Sequence, residues 1–376
     1  MSNPVGDGDE DGCGLTFGVE EEFHLVDPDT FELVTSPTLS ERAADERLGP
    51  RLRAEMLTSQ LETATEVCTG LEELRRALAA GRAEAASAAD GVGATLLAAG
   101  THPSAPLSRI EVAQRPRYDR LLERFGGVVG QFNLCGCHVH VGVPDLPTAV
   151  AVMSAARPYL PLLAALTASS PFHTGADTGY DSFRLAWIAL WPQGGLPPRL
   201  ESAEAYLGTV DRLVELGLIA DATELLWELR PSARYPTLEF RIADACTDLD
   251  DAVLYAALAR SLVRTLASPT HMPTETGDLT DPELRAVRWR AARYGLGATL
   301  WSPARAAVVP AALAVDDLLA ELRPDLERHG EYDTVAALLA QLRSRGTSAK
   351  RQREAFAATG SLREVTGALV RITAAG

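Results

Sequence analysis

The sequence predicts an α+β protein in which a mostly antiparallel sheet is followed by a helical C-terminal third. Short extended segments alternate with Ala- and Leu-rich helical ones as far as Leu249, and nearly every later segment has a helical pattern. No period of about 20 to 50 residues repeats, which excludes solenoids and propellers. Strands separated by helices and then followed by a run of helices are typical of α+β proteins.

The first elements predict strands with helices between them. Residues 15–26 have the pattern of a strand and precede an Asp-Pro-Asp turn. Residues 31–34 are therefore predicted to form the second strand of a hairpin. Residues 71–89 are rich in Ala, Leu, Glu and Arg, which predicts a helix, and the apolar segment 94–98 predicts a buried strand. Residues 117–125 predict another helix, which two glycines end.

The later elements continue this pattern. Residues 131–143 predict a strand that a proline closes, and the apolar segment 149–168 predicts a helix. Residues 225–229 and 238–243 predict two short strands around a proline-containing turn. The helical patterns after Leu249 are broken at Pro269, Pro273, Pro303 and Gly346.

The composition excludes several classes of enzyme. The formal net charge is −16, and Lys350, in a polar stretch near the C-terminus, is the only lysine. P-loop NTPases, protein kinases and Schiff-base enzymes all need a lysine at a defined position. The acidic excess also argues against nucleic-acid binding, because contacts to phosphates supply most of that affinity. Any phosphate would therefore be bound by arginine or by a metal ion.

Cysteine usage and the N-terminus predict a cytoplasmic protein. Five cysteines are an odd number in a long chain, which is typical of a reduced protein and not of a disulfide scaffold. Residues 1–14 are acidic and Gly-rich and lack the features of a signal peptide, so we predict a disordered tail. The apolar segment 149–170 contains Arg157 and two prolines, and we expect a core helix there and not a membrane span.

Two glutamates share one face of the first predicted strand. Alternation places Glu20, Glu22 and His24 on one side of the strand and Glu21 on the other. Two carboxylates on a buried face repel each other and lose hydration, so they need a compensating cation. The alternative is an edge strand whose glutamates are solvated.

A second polar face lies in the segment 136–142. His138 and His140 share one side, which is either a pair of metal ligands or a hydrogen-bonded polar face. Alternation puts Cys135 and Cys137 on the opposite side with the valines, which predicts core residues. The alternative, a Cys-x-Cys metal site, would need thiolates on the valine face.

Two further segments carry acidic or paired polar residues. Glu239 and Arg241 share one side of the predicted strand 238–243, and Glu55 and Glu62 lie in another acidic segment. Carboxylates combined with an imidazole suit Mg²⁺ or Mn²⁺ better than structural zinc. In a chain without a phosphate-binding lysine, such ions would bridge the phosphates of a nucleotide to the protein.

Short motifs that follow one another along the chain carry a resemblance to a known family. They are Gly-Val-Glu-Glu-Glu-Phe at 18–23, Ser-Gln-Leu-Glu at 59–62, Gly-Thr-His-Pro at 100–103, Gly-Cys-His-Val-His at 136–140, Ser-Ser-Pro-Phe at 169–172, Asp-Thr-Gly-Tyr at 177–180, Arg-Pro-Ser at 230–232 with Thr-Leu-Glu-Phe-Arg at 237–241, and Arg-Trp-Arg-Ala-Ala-Arg-Tyr-Gly at 288–295. Together they resemble the glutamate–cysteine ligase type 2 family, the YbdK-like carboxylate–amine ligases.

The resemblance implies a fold and an activity. The fold would be glutamine-synthetase-like: an antiparallel sheet forming a funnel, with helices on its outer face. Residues 15–376 would form a single carboxylate–amine ligase catalytic domain. The activity would be ATP-dependent amide formation through an acyl phosphate, for which the family's usual substrates are glutamate and cysteine. Relatives of this fold make a homodimer the expected assembly, with small-molecule substrates and neither nucleic acid nor membrane as a partner.

The resemblance also implies roles for individual residues. The metal ligands would be Glu20, Glu22, Glu55, Glu62, His138 and Glu239. Arg241 would be catalytic and face the transferable phosphate, and Arg230 would help to bind the nucleotide. The cofactors would be ATP and Mg²⁺ or Mn²⁺.

Other residues are candidates for substrate binding. A guanidinium can bind phosphate or carboxylate through two hydrogen bonds, and the candidates are Arg184, Arg230, Arg288, Arg290 and Arg293. A tryptophan could stack on adenine, and the candidates are Trp187, Trp191, Trp227 and Trp289. His173 stands where family members often have tryptophan, which predicts an altered choice of substrate.

The residues leave other functions open. A ligase could join a different carboxylate or a different amine. A metal-dependent hydrolase would use the same carboxylates and histidines to activate water, without ATP. A protein that kept the fold but lost the chemistry would bind nucleotide or metal and release no ADP.

Overall fold

The structure is a computed structural model that describes residues 14, 16–45, 51–131, 133–268 and 279–376. The predicted disordered tail, apart from Gly14, lies outside these residues, as do the predicted helix breaks at Pro269 and Pro273.

The strands and helices alternate along the chain as the sequence predicts. The strands are β1 (Phe17–Val26), β2 (Leu52–Ala54), β3 (Gln60–Ala64), β4 (Thr95–Leu97), β5 (Gly136–Gly142), β6 (Phe172–His173), β7 (Ala176–Asp177), β8 (Gly194–Gly195), β9 (Leu226–Trp227), β10 (Leu229–Pro231), β11 (Thr237–Asp244), β12 (Thr299–Ser302) and β13 (Ala307–Pro310). The α-helices are α1 (Pro37–Ala44), α2 (Leu71–Asp90), α3 (Pro116–Phe125), α4 (Leu146–Ala156), α5 (Leu160–Leu166), α6 (Phe183–Ile188), α7 (Ala203–Glu215), α8 (Leu249–Ala267), α9 (Asp281–Tyr294), α10 (Ala311–Arg328), α11 (Tyr332–Arg345), α12 (Ser348–Thr359) and α13 (Leu362–Ala375). Short 3₁₀ helices span Leu107–Arg109, Gly126–Gln131, Arg157–Tyr159, Ala222–Glu224, Gly295–Gly297 and Pro303–Arg305.

Within the described part of the chain, the main sheet is antiparallel and contains seven strands. Its order is β10-β11-β5-β1-β3-β2, and β4 also pairs with β1. The helical region from α8 to the C-terminus confirms the predicted α+β class. Strands that are distant in sequence thus become neighbours, with β1 between β3 and β5 at the centre of the order.

Several predicted elements differ in detail. Segment 31–34 forms only a bridge from Leu33 to Val26, and not a full hairpin strand. The predicted helix 149–168 is two helices, α4 and α5, joined by a 3₁₀ turn where Pro158 and Pro161 interrupt the helical hydrogen bonds. Strands β12 and β13 form a hairpin inside the region predicted to be helical.

The face of the sheet that carries the valines packs against helices and forms the main core. Val139, Val141 and Phe240 are fully buried there, where α8 contacts β5 and α4 and α5 contact β11. Burying each such side chain contributes roughly 1.5–3 kcal/mol. The stretch Leu146–Leu166 is long and apolar enough to span a membrane by composition, but 78% of its most apolar window is buried inside the protein. That burial is typical of a core helix.

A buried ion pair fixes the one charged residue of β1 that faces the core. Arg82 of α2 donates from Nε and Nη2 to Glu21 at 3.1 and 2.6 Å. It also donates to the carbonyls of Cys246 and Thr247 at 2.8 and 3.1 Å. Because both partners are buried and hydrogen-bonded, removing either one would leave an uncompensated charge in the core.

A buried histidine makes the stability of the protein sensitive to acid. Nδ1 of His102 accepts backbone hydrogen bonds from Ser104 and Ala105 at 3.2 and 3.0 Å, and Nε2 donates to the carbonyl of Phe31 at 2.9 Å. These bonds fit the neutral ring only. Burial lowers the pKa of His102 to about 4, although the bond to Phe31 opposes the shift.

We therefore expect the free energy of unfolding to fall as the pH drops from about 6.5 towards 4, because the unfolded chain then binds a proton that the folded chain rejects. At pH 5 the loss is about 2 kcal/mol. His102→Asn keeps an acceptor near Nδ1 but cannot titrate, so urea unfolding should show a smaller loss between pH 7 and pH 5. His329→Asn, at a half-buried histidine, is the control. Equal acid sensitivity in His102→Asn and the wild type would contradict the assignment.

Candidate active site

A cavity of about 860 Å³ lies at the polar face of the sheet. We call it the funnel. Its walls come from β1, β3, β5 and β11, from α3 and from segment 223–235. Its charged and imidazole side chains include Glu20, Glu22, Glu55, Glu62, His138, His140, Arg184, Glu228, Arg230, Glu239 and Arg241. The structure thus brings together in one cavity all six predicted metal ligands and the two arginines predicted to bind the nucleotide, Arg230 and Arg241.

Strand register explains how residues that are far apart in sequence meet in the funnel. Glu22 of β1 lies opposite Glu62 of β3, and Glu20 lies opposite His138 of β5. On the other side of β5, His140 lies opposite Glu239 of β11. Directly opposed residues on one face have Cβ atoms only about 4.5–5.5 Å apart. Antiparallel pairing therefore places the polar faces of these strands side by side.

Three groups of side chains in the funnel have the composition of a metal site. Each group brings one ligand atom per residue within 4.8 Å of the others. The groups are Glu22 with Glu55 and Glu62, Glu20 with Glu62 and His138, and Glu20 with His140 and Glu239. Glu20 and Glu62 each belong to two groups, so neighbouring ions could share them. Carboxylate oxygens with one imidazole suit hard divalent cations.

Ionisation is unfavourable for two of these glutamates. Burial and the nearby charge of Glu55 raise the pKa of Glu22 to about 8, although Arg184 opposes this shift. Burial and the charges of Glu20 and Glu55 raise the pKa of Glu62 well above its usual value. A bound cation would relieve this repulsion, so the site has the electrostatics that a divalent metal requires.

Glu20 differs because two histidines face it. Burial raises its pKa, but His138 and His140, which lie 3.7 and 3.5 Å from Oε2, outweigh burial and hold the pKa well below its usual value. Burial and the charge of Arg241 lower the pKa of His138 to about 3, so its ring is neutral. A neutral imidazole is the form that binds a metal.

His140 is a functional candidate whose role the sequence left undecided. Its Nδ1 lies 2.9 Å from the hydroxyl of Thr237, which orients the ring. Nε2 of His140 and Nε2 of His138 are buried without a hydrogen-bond partner among the residues that the structure describes. A nitrogen oriented in this way by its second ring atom is typical of a metal ligand.

Glu239 lies between the two predicted phosphate-binding arginines. Arg230 donates to it from Nε and Nη2 at 2.8 and 3.2 Å, and Nη1 of Arg241 also donates to it. Burial raises the pKa of Glu239, but the charges of Arg241 and Arg230 outweigh burial and hold it far below its usual value. Nη1 of Arg230 also donates to the carbonyls of Thr223 and Leu225. Arg230 is therefore held by more partners than Arg241.

An irregularity in β11 positions Arg184 beneath the site. The pairing of β11 with β5 shifts register between Phe240 and Ala243, which is a β-bulge. Around it, the carbonyls of Arg241 and Ile242 accept hydrogen bonds from Arg184 at 3.1 and 3.4 Å. A bulge cannot be deduced from the alternation of polar and apolar residues.

Gly136 allows the close approach of two charged groups. Its N–H donates to Oε2 of Glu22 at 2.5 Å. A Cβ atom at this position would overlap the guanidinium of Arg184. Only glycine therefore fits at this position of β5 without displacing Arg184.

Not every candidate lies in the funnel. Arg288 binds Glu228, Arg290 donates to Thr299, and Arg293 stacks on Tyr180 and Tyr294.

Of the four candidate tryptophans, Trp191 lines the funnel, and Trp289 is 46% exposed. His173 packs against Phe183 and Trp187. His24 shares the polar side of β1 but faces His102.

Both cysteines that were predicted to be core residues are buried, but the prediction that Cys135 lies on the valine side is wrong. Cys137 lies in the main core, as predicted. Cys135 precedes β5, and its Sγ accepts a hydrogen bond from Nε2 of Gln60, a funnel residue, at 3.2 Å. The alternation starts only at Gly136, so it does not extend to Cys135. Burial and the charge of Glu22 raise the pKa of Cys135 well above its usual value, so the thiol stays protonated.

The arrangement suits chemistry between anions. Carboxylates and histidines could hold divalent cations, and Arg241 presents a guanidinium beside them. Together these groups can neutralise negative charge that develops on a phosphoryl or carboxyl group.

Comparisons with known proteins identify relatives of the whole chain. Residues 16–368 match the model of glutamate–cysteine ligase family 2 (GCS2). A protein of Saccharopolyspora erythraea named "Putative glutamate--cysteine ligase 2-1" is 42% identical over 342 residues, 91% of this chain and 90% of that protein. A Salinispora arenicola protein named "Putative glutamate--cysteine ligase 2" is 42% identical over 353 residues, 93% of this chain and 92% of that protein.

Solved structures share the fold at low sequence identity. The glutamate–cysteine ligase of Francisella tularensis, solved in complex with AMP, matches with a TM-score of 0.70 and 12% identity over 96% of this chain and 88% of that one. The bifunctional glutathione synthetase of Pasteurella multocida matches with a TM-score of 0.71 and 19% identity over 96% of this chain, which spans 52% of that protein. The fold and the family match agree with the motifs in the sequence: the chain belongs to glutamate–cysteine ligase family 2.

Proposed function

We propose that this protein is an ATP-dependent carboxylate–amine ligase that joins glutamate to cysteine and forms γ-glutamylcysteine. Membership in glutamate–cysteine ligase family 2 supports this proposal. The observation that carries it is the funnel itself, in which carboxylates and histidines surround space beside Arg241. A homodimer and a cytoplasmic location remain predictions.

The three groups of ligand atoms support binding of Mg²⁺ or Mn²⁺. We assign the metal-binding role to Glu20, Glu22, Glu55, Glu62, His138 and Glu239. Buried carboxylates with raised pKa values, and imidazole nitrogens without hydrogen-bond partners among the described residues, fit such ions. Bound to ATP, the ions would neutralise charge on the phosphates and orient the γ-phosphate.

The two arginines beside Glu239 would have different roles. Arg241 is held by fewer partners and contacts Glu239 and His138, so its guanidinium is available to the γ-phosphate. Arg230 stays a predicted nucleotide ligand, and its bonds to Glu239, Thr223 and Leu225 add a positioning role. A preorganised donor of this kind stabilises charge in the transition state.

The reaction has two steps. A carboxylate oxygen of glutamate attacks the γ-phosphorus of ATP, the bond to the bridging oxygen breaks, and ADP leaves with that electron pair. The amine nitrogen of cysteine then attacks the acyl carbon, inorganic phosphate leaves with the C–O electron pair, and the nitrogen loses a proton. Both steps bring anions together, so the barrier is largely electrostatic.

ADP release tests the proposal directly. With ATP and Mg²⁺, the purified protein should release ADP only when both L-glutamate and L-cysteine are present, and omitting Mg²⁺ should abolish the release. A panel of other acids and amines identifies a ligase with different substrates. ADP absent under every condition while ATP still binds would indicate a binding protein, and turnover without ATP would indicate a metal-dependent hydrolase.

A further inference from the structure

Glu228 is a buried carboxylate of the funnel that the proposed metal and phosphate sites do not use. It lies between β9 and β10, and its backbone carbonyl accepts a hydrogen bond from the N–H of Arg241 at 2.8 Å. The residue is 1% exposed and lines the funnel. Its backbone is therefore paired with that of Arg241.

The two oxygens of Glu228 have different environments. Nε of Arg288 donates to Oε1 at 2.5 Å, and Nη2 of Arg288 contacts the same oxygen. Arg288 is itself fixed by a hydrogen bond from Nη2 to the carbonyl of Leu185 at 2.9 Å. Oε2 of Glu228 is buried and has no hydrogen-bond partner within the described part of the chain. An arginine thus holds one oxygen and leaves the lone pairs of the other oxygen unused.

A second unused acceptor lies on the backbone segment that pairs with the segment of Glu228. Gln193 lines the funnel and is 2% exposed, and its Oε1 also has no hydrogen-bond partner among residues that the structure describes. The N–H of Leu226 donates to the carbonyl of Gln193 at 3.0 Å, and the N–H of Glu228 donates to the carbonyl of Gly195 at 2.8 Å. This parallel pairing brings the segments of Gln193 and Glu228 together at one wall.

The chemistry of the two acceptors restricts what they can bind. A buried acceptor without a partner costs about 1–3 kcal/mol, so a ligand that supplies hydrogen-bond donors is favoured. An anion would meet two oxygens and be repelled. None of the three metal-type groups found among the described residues includes Glu228. A primary ammonium group is positively charged and carries three N–H donors, so it matches these acceptors.

We infer that Glu228 and Gln193 bind the ammonium group of an amino-acid substrate, with Arg288 as the residue that positions Glu228. The inference rests on the proposed function and deepens it, because it means that one substrate is recognised as an amino acid and not only as a carboxylate or a thiol. The ammonium group can belong to the acid substrate or to the incoming amine.

Equilibrium binding to the protein loaded with Mg²⁺ and a non-hydrolysable ATP analogue tests the inference. L-Glutamate is compared with glutarate, and L-cysteine with 3-mercaptopropionate, since each second compound lacks the ammonium group. Glu228→Gln keeps the size of the side chain but removes its charge. For one of the two amino acids the affinity should fall about tenfold or more, as expected for the loss of a charge-assisted hydrogen bond. The affinity for the matching analogue should stay the same.

Glu224→Gln is the matched control. Glu224 is also a buried glutamate of the funnel, but its Oε2 already accepts from Arg124 and from the N–H of Ala220 at 2.8 and 2.9 Å. It should therefore show no selective loss of an ammonium-bearing ligand. Gln193→Leu removes the second acceptor without disturbing the ion pair with Arg288, and it should reproduce the selective loss even if Glu228→Gln folds poorly.

The outcomes separate this inference from the proposed function. Equal losses for an amino acid and its analogue, or no loss for either amino acid, would overturn the inference and leave Glu228 as a partner of Arg288 only. ADP release by the wild type would still support the ligase in that case. Selective loss of amino-acid binding without any ADP release would retain the ammonium site and reject the ligase.

Discussion

Replacing Arg241 with alanine is expected to lower kcat of ADP release by about 10²-fold or more, by analogy with the loss of one donor from an oxyanion site. The guanidinium of Arg241 is partly buried beside Glu239 and His138, two of the proposed metal ligands. Burial would lower its pKa, but Glu239 and the other funnel carboxylates hold it above its usual value, so the positive charge is permanent. A charge that is already held in place stabilises a transferring phosphoryl group more than a mobile charge does, because no reorganisation is needed during the reaction.

Two measurements distinguish this role from a structural one. Mn²⁺ affinity and the KM for ATP should change far less than kcat, because the group acts on the transition state. Added guanidinium ions should restore part of the activity of Arg241→Ala. Arg241→Lys should have only part of the wild-type activity, because lysine lacks the planar group that can donate two parallel hydrogen bonds. Near-normal turnover in Arg241→Ala would remove this residue from the mechanism.

The sequence was sufficient to predict the polar faces of the site but not their contacts. The period of two along a strand fixes which side of the sheet Glu20, His138 or Glu239 occupies. It does not fix the register between strands, because register depends on packing of the whole sheet. The role of His140 therefore stayed open in the sequence, whereas pairing of β5 with β1 and β11 puts it between Glu20 and Glu239.

Other features could not be predicted, because they depend on contacts between residues that are distant in sequence. Glu228 and Arg288 form their ion pair across 60 residues, and nothing near either residue indicates that one carboxylate oxygen is left without a partner. The hairpin of β12 and β13 lies within helical surroundings, where local propensity favours helix. The motif containing Arg290 and Arg293 indicates the family, but these two side chains bind Thr299 and aromatic rings.

Replacing Glu62 with glutamine should stabilise the metal-free protein and weaken its binding of metal ions. Burial and the charges of Glu20 and Glu55 raise the pKa of Glu62, so the folded protein loses stability relative to the unfolded chain as the pH rises above the ordinary pKa of glutamate. Its removal should increase the free energy of unfolding in EDTA by about 0.5–2 kcal/mol, the usual range for a single stabilising substitution. The gain should disappear as the pH falls towards 4, because the carboxyl group is then protonated in both the folded and the unfolded wild type.

The affinity for metal ions should fall in Glu62→Gln, because Glu62 belongs to two of the three ligand groups. We expect Mn²⁺ affinity of Glu62→Gln to fall at least about tenfold, so that added metal raises the melting temperature of the variant less than that of the wild type. Glu66→Gln is the control: its side chain is 76% exposed and pairs with Arg51 on the surface, where ion pairs contribute little. A carboxylate that served only the fold would destabilise the protein on replacement both with and without metal. A smaller rise in melting temperature on adding Mn²⁺ to Glu62→Gln than to the wild type therefore distinguishes a metal ligand from a structural residue. An equal rise in the two proteins would remove Glu62 from the metal site.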